Sequence, residues 1–146
     1  MKTTWVLVAD EAIARILEQP EEGGDLTPVE ELTDPDAHAR EAEMHHGPHG
    51  RRTGSSTVSA GDSERHQHAQ LFAARIAQRL TERRREGRYG LLHIVAAPRL
   101  LGYLRQALTP EVSACVASEQ DKDVVQATPA ELTRRLSAEL GRGGAP

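Results

Sequence analysis

Leu91-Leu92-His93-Ile94-Val95-Ala96-Ala97-Pro98-Arg99-Leu100-Leu101-Gly102-Tyr103-Leu104 is the stretch that decides the fold. Its first seven residues are almost continuously apolar, which suits a central strand covered on both faces. Pro98 then opens a helix over Arg99–Leu108, in which Leu100, Leu101, Leu104 and Leu108 recur at helical spacing. Upstream, Ala69, Phe72, Ala73, Ile76 and Leu80 predict one long amphipathic helix over Ser63–Glu86, closed by Gly87. Downstream, Thr109-Pro110 begins a short turn, and Val112–Ser118, which contains Cys115, is expected as the last strand. Thr128-Pro129-Ala130-Glu131 combines a capping box with proline at the first helical position, so a closing helix runs to about Leu140. At the other end, Trp5–Ala9 reads as a buried strand, Asp10-Glu11 as a tight turn, and Ala12–Leu17 as a strand returning on the first. Arg15 is the charged exception in that alternation, and Leu26–Thr33 adds a third strand. Strands alternating with helices give an α/β fold: a single three-layer domain over residues 1–140, with a mixed β-sheet of about five strands and helices on both faces. His45–Asp62, with Gly47, Gly50, Gly54 and Gly61, is expected as a flexible loop, and residues 141–146 as a flexible tail.

The chain has 146 residues, within the size range of one domain. Its formal charge of -4 is the remainder of larger opposed terms: Met1–Gly50 carries -9, Arg51–Pro110 carries +7 and Glu111–Pro146 carries -2. Such a division points either to an anionic partner for the middle segment or to acidic and basic parts facing one another within the fold. Cys115 is the only cysteine, which excludes a disulfide framework and any zinc site built on several thiolates. The longest apolar stretches, Trp5–Ala9 and Leu91–Ala97, fall far short of the roughly 18 residues of a membrane-spanning helix. With no secretory signal pattern after Met1-Lys2, the expected location is the cytoplasm and no membrane insertion is expected. Trp5, Phe72, Tyr89 and Tyr103 are the only aromatics, too scattered for a base-stacking platform, so any contact with nucleic acid falls to arginine.

Candidate chemistry is sparse. No Walker A loop, dinucleotide fingerprint, HExxH or GxSxG occurs. His45, His46 and His49 are weak candidates for a transition-metal site, with His66 and His68 further along, but ligands in a glycine-rich loop lack a rigid second shell. Asp10, Glu64, Asp121 and Asp123 would form a two-metal hydrolase site only if the fold made them converge. Asp10 is more simply a turn residue, and Cys115 in an apolar segment an inert thiol. No cofactor is expected.

Trp5-Val6-Leu7-Val8-Ala9-Asp10, Phe72–Leu80, Ala96–Leu108 and the Lys122-Asp123 pair in Glu119–Asp123, taken with their order and spacing, resemble the bacterial host attachment protein family. The residues that carry the motif are Asp10, Pro98, Arg99, Gly102, Arg105, Lys122 and Asp123. That family is in turn similar to the middle domain of archaeo-eukaryotic peptide release factors, in which a glycine-rich loop precedes a long arginine-bearing helix. Release factors carry Gly-Gly-Gln in that loop to position water against peptidyl-tRNA, whereas neither Gly23-Gly24 nor Gly143-Gly144 is followed by glutamine here. The resemblance therefore implies a non-catalytic factor whose partners are the ribosome, ribosomal RNA or tRNA, contacted by Arg51, Arg52, Arg75, Arg79, Arg83, Arg84 and Arg85. The alternative is a protein-interaction module in host or surface attachment, with a protein partner and arginines that merely solvate a helix. A metal-dependent hydrolase stands third.

Overall fold

The computed structural model describes residues 3–20, 23–34 and 55–144. Its elements, in chain order, are β1 (Thr4–Ala9), β2 (Ile13–Gln19), β3 (Thr27–Thr33), α1 (Ser55–Arg85), β4 (Leu91–Ala96), α2 (Pro98–Ala107), α3 (Pro110–Ser113), β5 (Val116–Gln120), α4 (Pro129–Arg135) and α5 (Ser137–Gly144). The five strands form one sheet in the order β3-β2-β1-β4-β5. β2 is antiparallel to both β1 and β3, whereas β4 is parallel to both β1 and β5. The sheet is thus mixed, with its two most apolar strands side by side at the centre. In β1 and β4, the residues at Trp5–Ala9 and Leu92–Ala96 are buried throughout, as a strand covered on both faces requires.

Alternation along the strands divides the core in two. One face carries Trp5, Leu7, Ile16, Leu92 and Ile94 against Phe72, Ile76 and Leu80 of α1 and Leu100, Leu101 and Leu104 of α2. Val6, Val8, Leu17 and Val95 point the other way, onto Leu132 of α4, Leu140 of α5 and, between the two helices, Leu136. Helices therefore cover both faces, giving three layers. Trp5 and Tyr89 stack with centroids 4.8 Å apart, and the Tyr89 hydroxyl donates to the Leu80 carbonyl at 2.7 Å, fixing the C-terminal end of α1 to the start of the central strands. Gly87, at φ +75°, makes the turn between α1 and β4, a conformation that favours glycine.

Three local expectations are corrected. α1 begins at Ser55, so residues 55–62 of the expected loop are helical, while 45–54 lie outside the described residues. Serine and glycine are poor helix formers, but extending a helix already nucleated costs under about 1 kcal/mol per residue, which the long amphipathic segment downstream absorbs. The last strand is Val116–Gln120 rather than Val112–Ser118. Thr109-Pro110 starts a helical turn through Ser113, where Val112 is buried, and pairing with β4 begins at the Cys115 carbonyl, which accepts from the Leu92 N–H at 2.8 Å. The closing helix is interrupted at Leu136 and resumes through Gly144, so most of the expected tail is helical.

Candidate functional site

The parallel arrangement of β1, β4 and β5 brings their C-terminal ends to one edge of the sheet, the edge at which open α/β sheets place their ligands. Asp10 leaves β1 there, Pro98 and Arg99 leave β4, and Asp121-Lys122-Asp123 leaves β5. Residues as far as 113 positions apart in sequence, Asp10 and Asp123, thus share one end of the molecule. β3 also ends at that edge, since it runs parallel to β1 through two antiparallel pairings.

Each residue at the edge has a local anchor. Asp10 accepts hydrogen bonds through Oδ1 from the backbone N–H groups of Ala12 and Ile13, both at 2.8 Å, and its own N–H donates to the Ile13 carbonyl. It is the turn residue that the sequence suggested, with its side chain committed to the β1–β2 turn. Arg99 faces Glu11 at 3.9 Å, and Arg105, further along α2, pairs with Glu119 of β5 at 2.7 Å. Pro98 occupies the first turn of α2, where its missing N–H is harmless. A Cβ on Gly102 would meet no described atom within 4 Å, so close packing is not what requires glycine there. Asp121, Lys122 and Asp123 are exposed. The segment behind them is held by Arg15, whose guanidinium reaches across from β2 to the carbonyls of Val125 at 2.8 Å and Ala127 at 2.6 Å. In the sequence alone, Arg15 is only a charged exception within a strand. A lone cation in an alternating apolar pattern was the available signal that it has a buried-side partner.

α1 carries the other expected contacts. It is 31 residues long, about 46 Å, yet its first buried side chain among the described residues is Ala69. Residues 55–68 form its leading part. Because α1 leads into β4 through a tight turn, this leading part lies toward the edge just described. His66 there meets Tyr103 of α2 with ring centroids 6.3 Å apart.

The arginines of α1 do not make one free positive face. Arg79 and Arg83 both bind the Glu30 carboxylate of β3, each at 2.6 Å. Arg75, one turn earlier, donates to the Thr33 carbonyl at 3.0 Å. Arg83 also meets Glu86, and Arg85 binds Glu111. Arg84 donates to the Tyr89 carbonyl at 3.4 Å, with its Nε buried and unpartnered. The Arg83 hydrogen bond foremost, then that of Arg79 and the two positive charges, hold the Glu30 carboxyl below its ordinary range against the opposing effect of burial. Arg75, Arg79 and Arg83 thus form a ladder to the edge strand, while Arg84 and Arg85 sit at the opposite end from the motif residues. Arg51, Arg52, His45, His46 and His49 lie outside the described residues. Among the described residues, no three histidine, cysteine or acidic side chains gather to hold a metal ion, and Asp10, Glu64, Asp121 and Asp123 are not brought into such a cluster.

Residues 5–136 match the family model described as "Protein required for attachment to host cells". The chain belongs to the host attachment family. No curated protein sequence matches it. Among solved structures, this family member is similar to the archaeal translation termination factor aRF1, with a TM-score of 0.52 and 9% sequence identity. The match covers 96% of this chain and 37% of that one, so the host attachment fold corresponds to a little over a third of the termination factor's length. The likeness is one of fold, and it extends over both layers of helices as well as the sheet. No helix among the described residues is long and apolar enough to cross a membrane.

Proposed function

We propose that this host attachment protein is a non-catalytic, cytoplasmic RNA- or ribosome-associated factor, and that it meets RNA with the arginine-bearing helix α1 and the segment leading into it. The observation that supports this most is the length of α1: a release-factor-like fold carries an arginine-bearing helix of 31 residues, about 46 Å, whose N-terminal end lies toward the edge where the motif residues gather. A helix of that length, with its N-terminal end at the motif edge, suits presentation of the chain segment before it to a large particle. Arg51 and Arg52 lie shortly before that helix in sequence, and Arg75 and Arg85 are exposed further along it. Without Gly-Gly-Gln, the water-positioning chemistry implied by the release-factor resemblance has no residues to perform it.

Phosphate contacts by arginine are not sequence-specific and weaken steeply with salt. Co-sedimentation with ribosomes is therefore expected at about 50 mM salt and lost by about 300 mM, with the Arg51→Glu, Arg52→Glu double variant bound less at about 50 mM. No association of the wild type at low salt would sink the proposal.

A second reading is favoured by the ion pairs. Glu30 and Glu111 already engage Arg79, Arg83 and Arg85, which suits a protein-interaction module whose helix arginines are structural. In that case the family description, attachment to host cells, would reflect a protein partner. Capture of a cell-surface or adhesion component that survives nuclease treatment would support it.

A further inference from the structure

His93 stands in the middle of β4 with its side chain on the face covered by α4 and α5, and it is only 1% exposed. The register of β4 against β5 shifts by one residue immediately before it: Leu92 lies opposite Val116, but His93 lies opposite Ser118. That bulge skips Ala117 and brings the Ser118 hydroxyl to 2.6 Å from His93 Nδ1, a re-aiming of one side chain of the kind bulges produce. The other ring nitrogen, Nε2, is buried with no hydrogen-bond partner among the described residues. On the β1 side its strand neighbour is Val6, and the helices above contribute Leu132, Leu136 and Leu140 to the same layer. Glu139 of α5 is the charged group whose field reaches the ring, and Ser118 supplies the hydroxyl.

We propose that His93 is a proton-operated latch for α5, so that protonation of the imidazole beneath this helix releases it from the sheet. Neutral imidazole needs one acceptor or donor partner on each nitrogen at most, and Ser118 meets the Nδ1 requirement. Imidazolium carries two N–H donors and a full charge, and no described residue offers Nε2 an acceptor while α5 is seated. Burial accordingly lowers the proton affinity of His93, and the Glu139 charge opposes that effect without cancelling it. Undocking α5 hydrates the ring and restores its ordinary affinity, so by linkage acid favours the undocked state. α5 is the element suited to respond. It has eight residues, and among its described side chains Leu140 is the buried anchor.

Amide hydrogen exchange of the full chain at about pH 7.5 and about pH 5, with intrinsic exchange rates factored out, reads this directly. Protection over Ser137–Gly144 is expected to fall at the lower pH by up to about thirtyfold, the factor by which a free imidazole near pKa 6.5 takes up protons there. Protection in β1 should hold. His93→Gln keeps a partner for Ser118 but takes up no proton, so its α5 protection is expected not to change with pH. Unchanged protection in the wild type, or the same loss in His93→Gln, overturns the proposal. Should His93→Gln fail to fold, an NMR titration of the wild-type imidazole decides: a midpoint clearly below 6.5 supports the latch and one at or above it refutes the latch.

Discussion

Glu30 joins two arginines, Arg79 and Arg83, to one carboxylate on an edge strand. Because its folded pKa is lowered, its contribution is fully present above the unfolded value near 4.5 and is lost as pH falls through the folded one. Glu30→Gln is expected to cost about 1 kcal/mol in urea unfolding at neutral pH, a modest value because the arginines regain water when released. The difference from wild type should shrink steadily below about pH 4.5, and a constant difference would show that packing rather than charge is at stake. Asp10 gives a contrasting case. Asp10→Ala removes the acceptor of two backbone N–H groups and should cost about 1–2 kcal/mol, while Asp10→Asn keeps an acceptor and should cost under half of that. The turn role of Asp10 was legible from its place between two short strands. Glu30 as a partner was not, since helical spacing aligns Arg75, Arg79 and Arg83 but cannot say which strand they will face. His93 was hidden for a related reason, being one polar residue in a run that otherwise reads as apolar.

At the scale of elements, α1 shows how much periodicity reveals. Ala69, Phe72, Ala73, Ile76 and Leu80, which its spacing picks out, are all buried, together with Ala77 and Thr81, while Leu71 on the opposite side is 64% exposed. Ile76→Ala should therefore cost about 2–4 kcal/mol in thermal or urea unfolding, and Leu71→Ala less than about 0.5 kcal/mol. Comparable losses at the two positions would place α1 against another surface. The capping box of α4 was equally readable: Thr128 Oγ1 accepts from the Glu131 N–H at 3.1 Å, and Glu131 Oε1 accepts from the Thr128 N–H at 2.8 Å. Thr128→Ala is expected to lower stability by about 1 kcal/mol. β5 was misplaced because its own residues, Val116 to Gln120, are largely polar and alternate between half-buried and exposed, which leaves little periodic signal at a sheet edge. The neighbouring apolar residues Val112 and Cys115 drew the expectation toward themselves although they serve a helical turn and its exit.

For the whole molecule, the division of charge along the chain acquires a partial structural explanation. Acidic Glu30 from the first third and Glu111 from the last neutralise arginines of the middle third across the fold. If RNA is the partner, freeing those arginines should strengthen binding: Glu111→Gln is expected to raise affinity for a mixed RNA pool and to steepen the salt dependence by about one unit of slope. Unaltered binding and slope would assign Arg85 to the scaffold. The layered α/β class followed from local patterns, but the strand order did not, because periodicity records which face a residue takes and not which strand lies beside it. The convergence of Asp10, Arg99 and Lys122 at one edge is a property of that order and becomes visible only in three dimensions.

The pairing of β1 with β4 joins Thr4 to Leu91, and so closes a circuit of almost ninety residues. β1, β2 and β3 meet through short connections and are complete once the first third of the chain has left the ribosome. From then until Ala96 emerges, the most apolar strand of the sheet presents an open hydrogen-bonding edge, which invites pairing with other chains. Lengthening the segment between β3 and α1 prolongs that interval, yet doubling a closing loop costs only about 0.6 kcal/mol of entropy. Insertions there are consequently expected to alter yield and aggregation during synthesis far more than the stability of the finished fold.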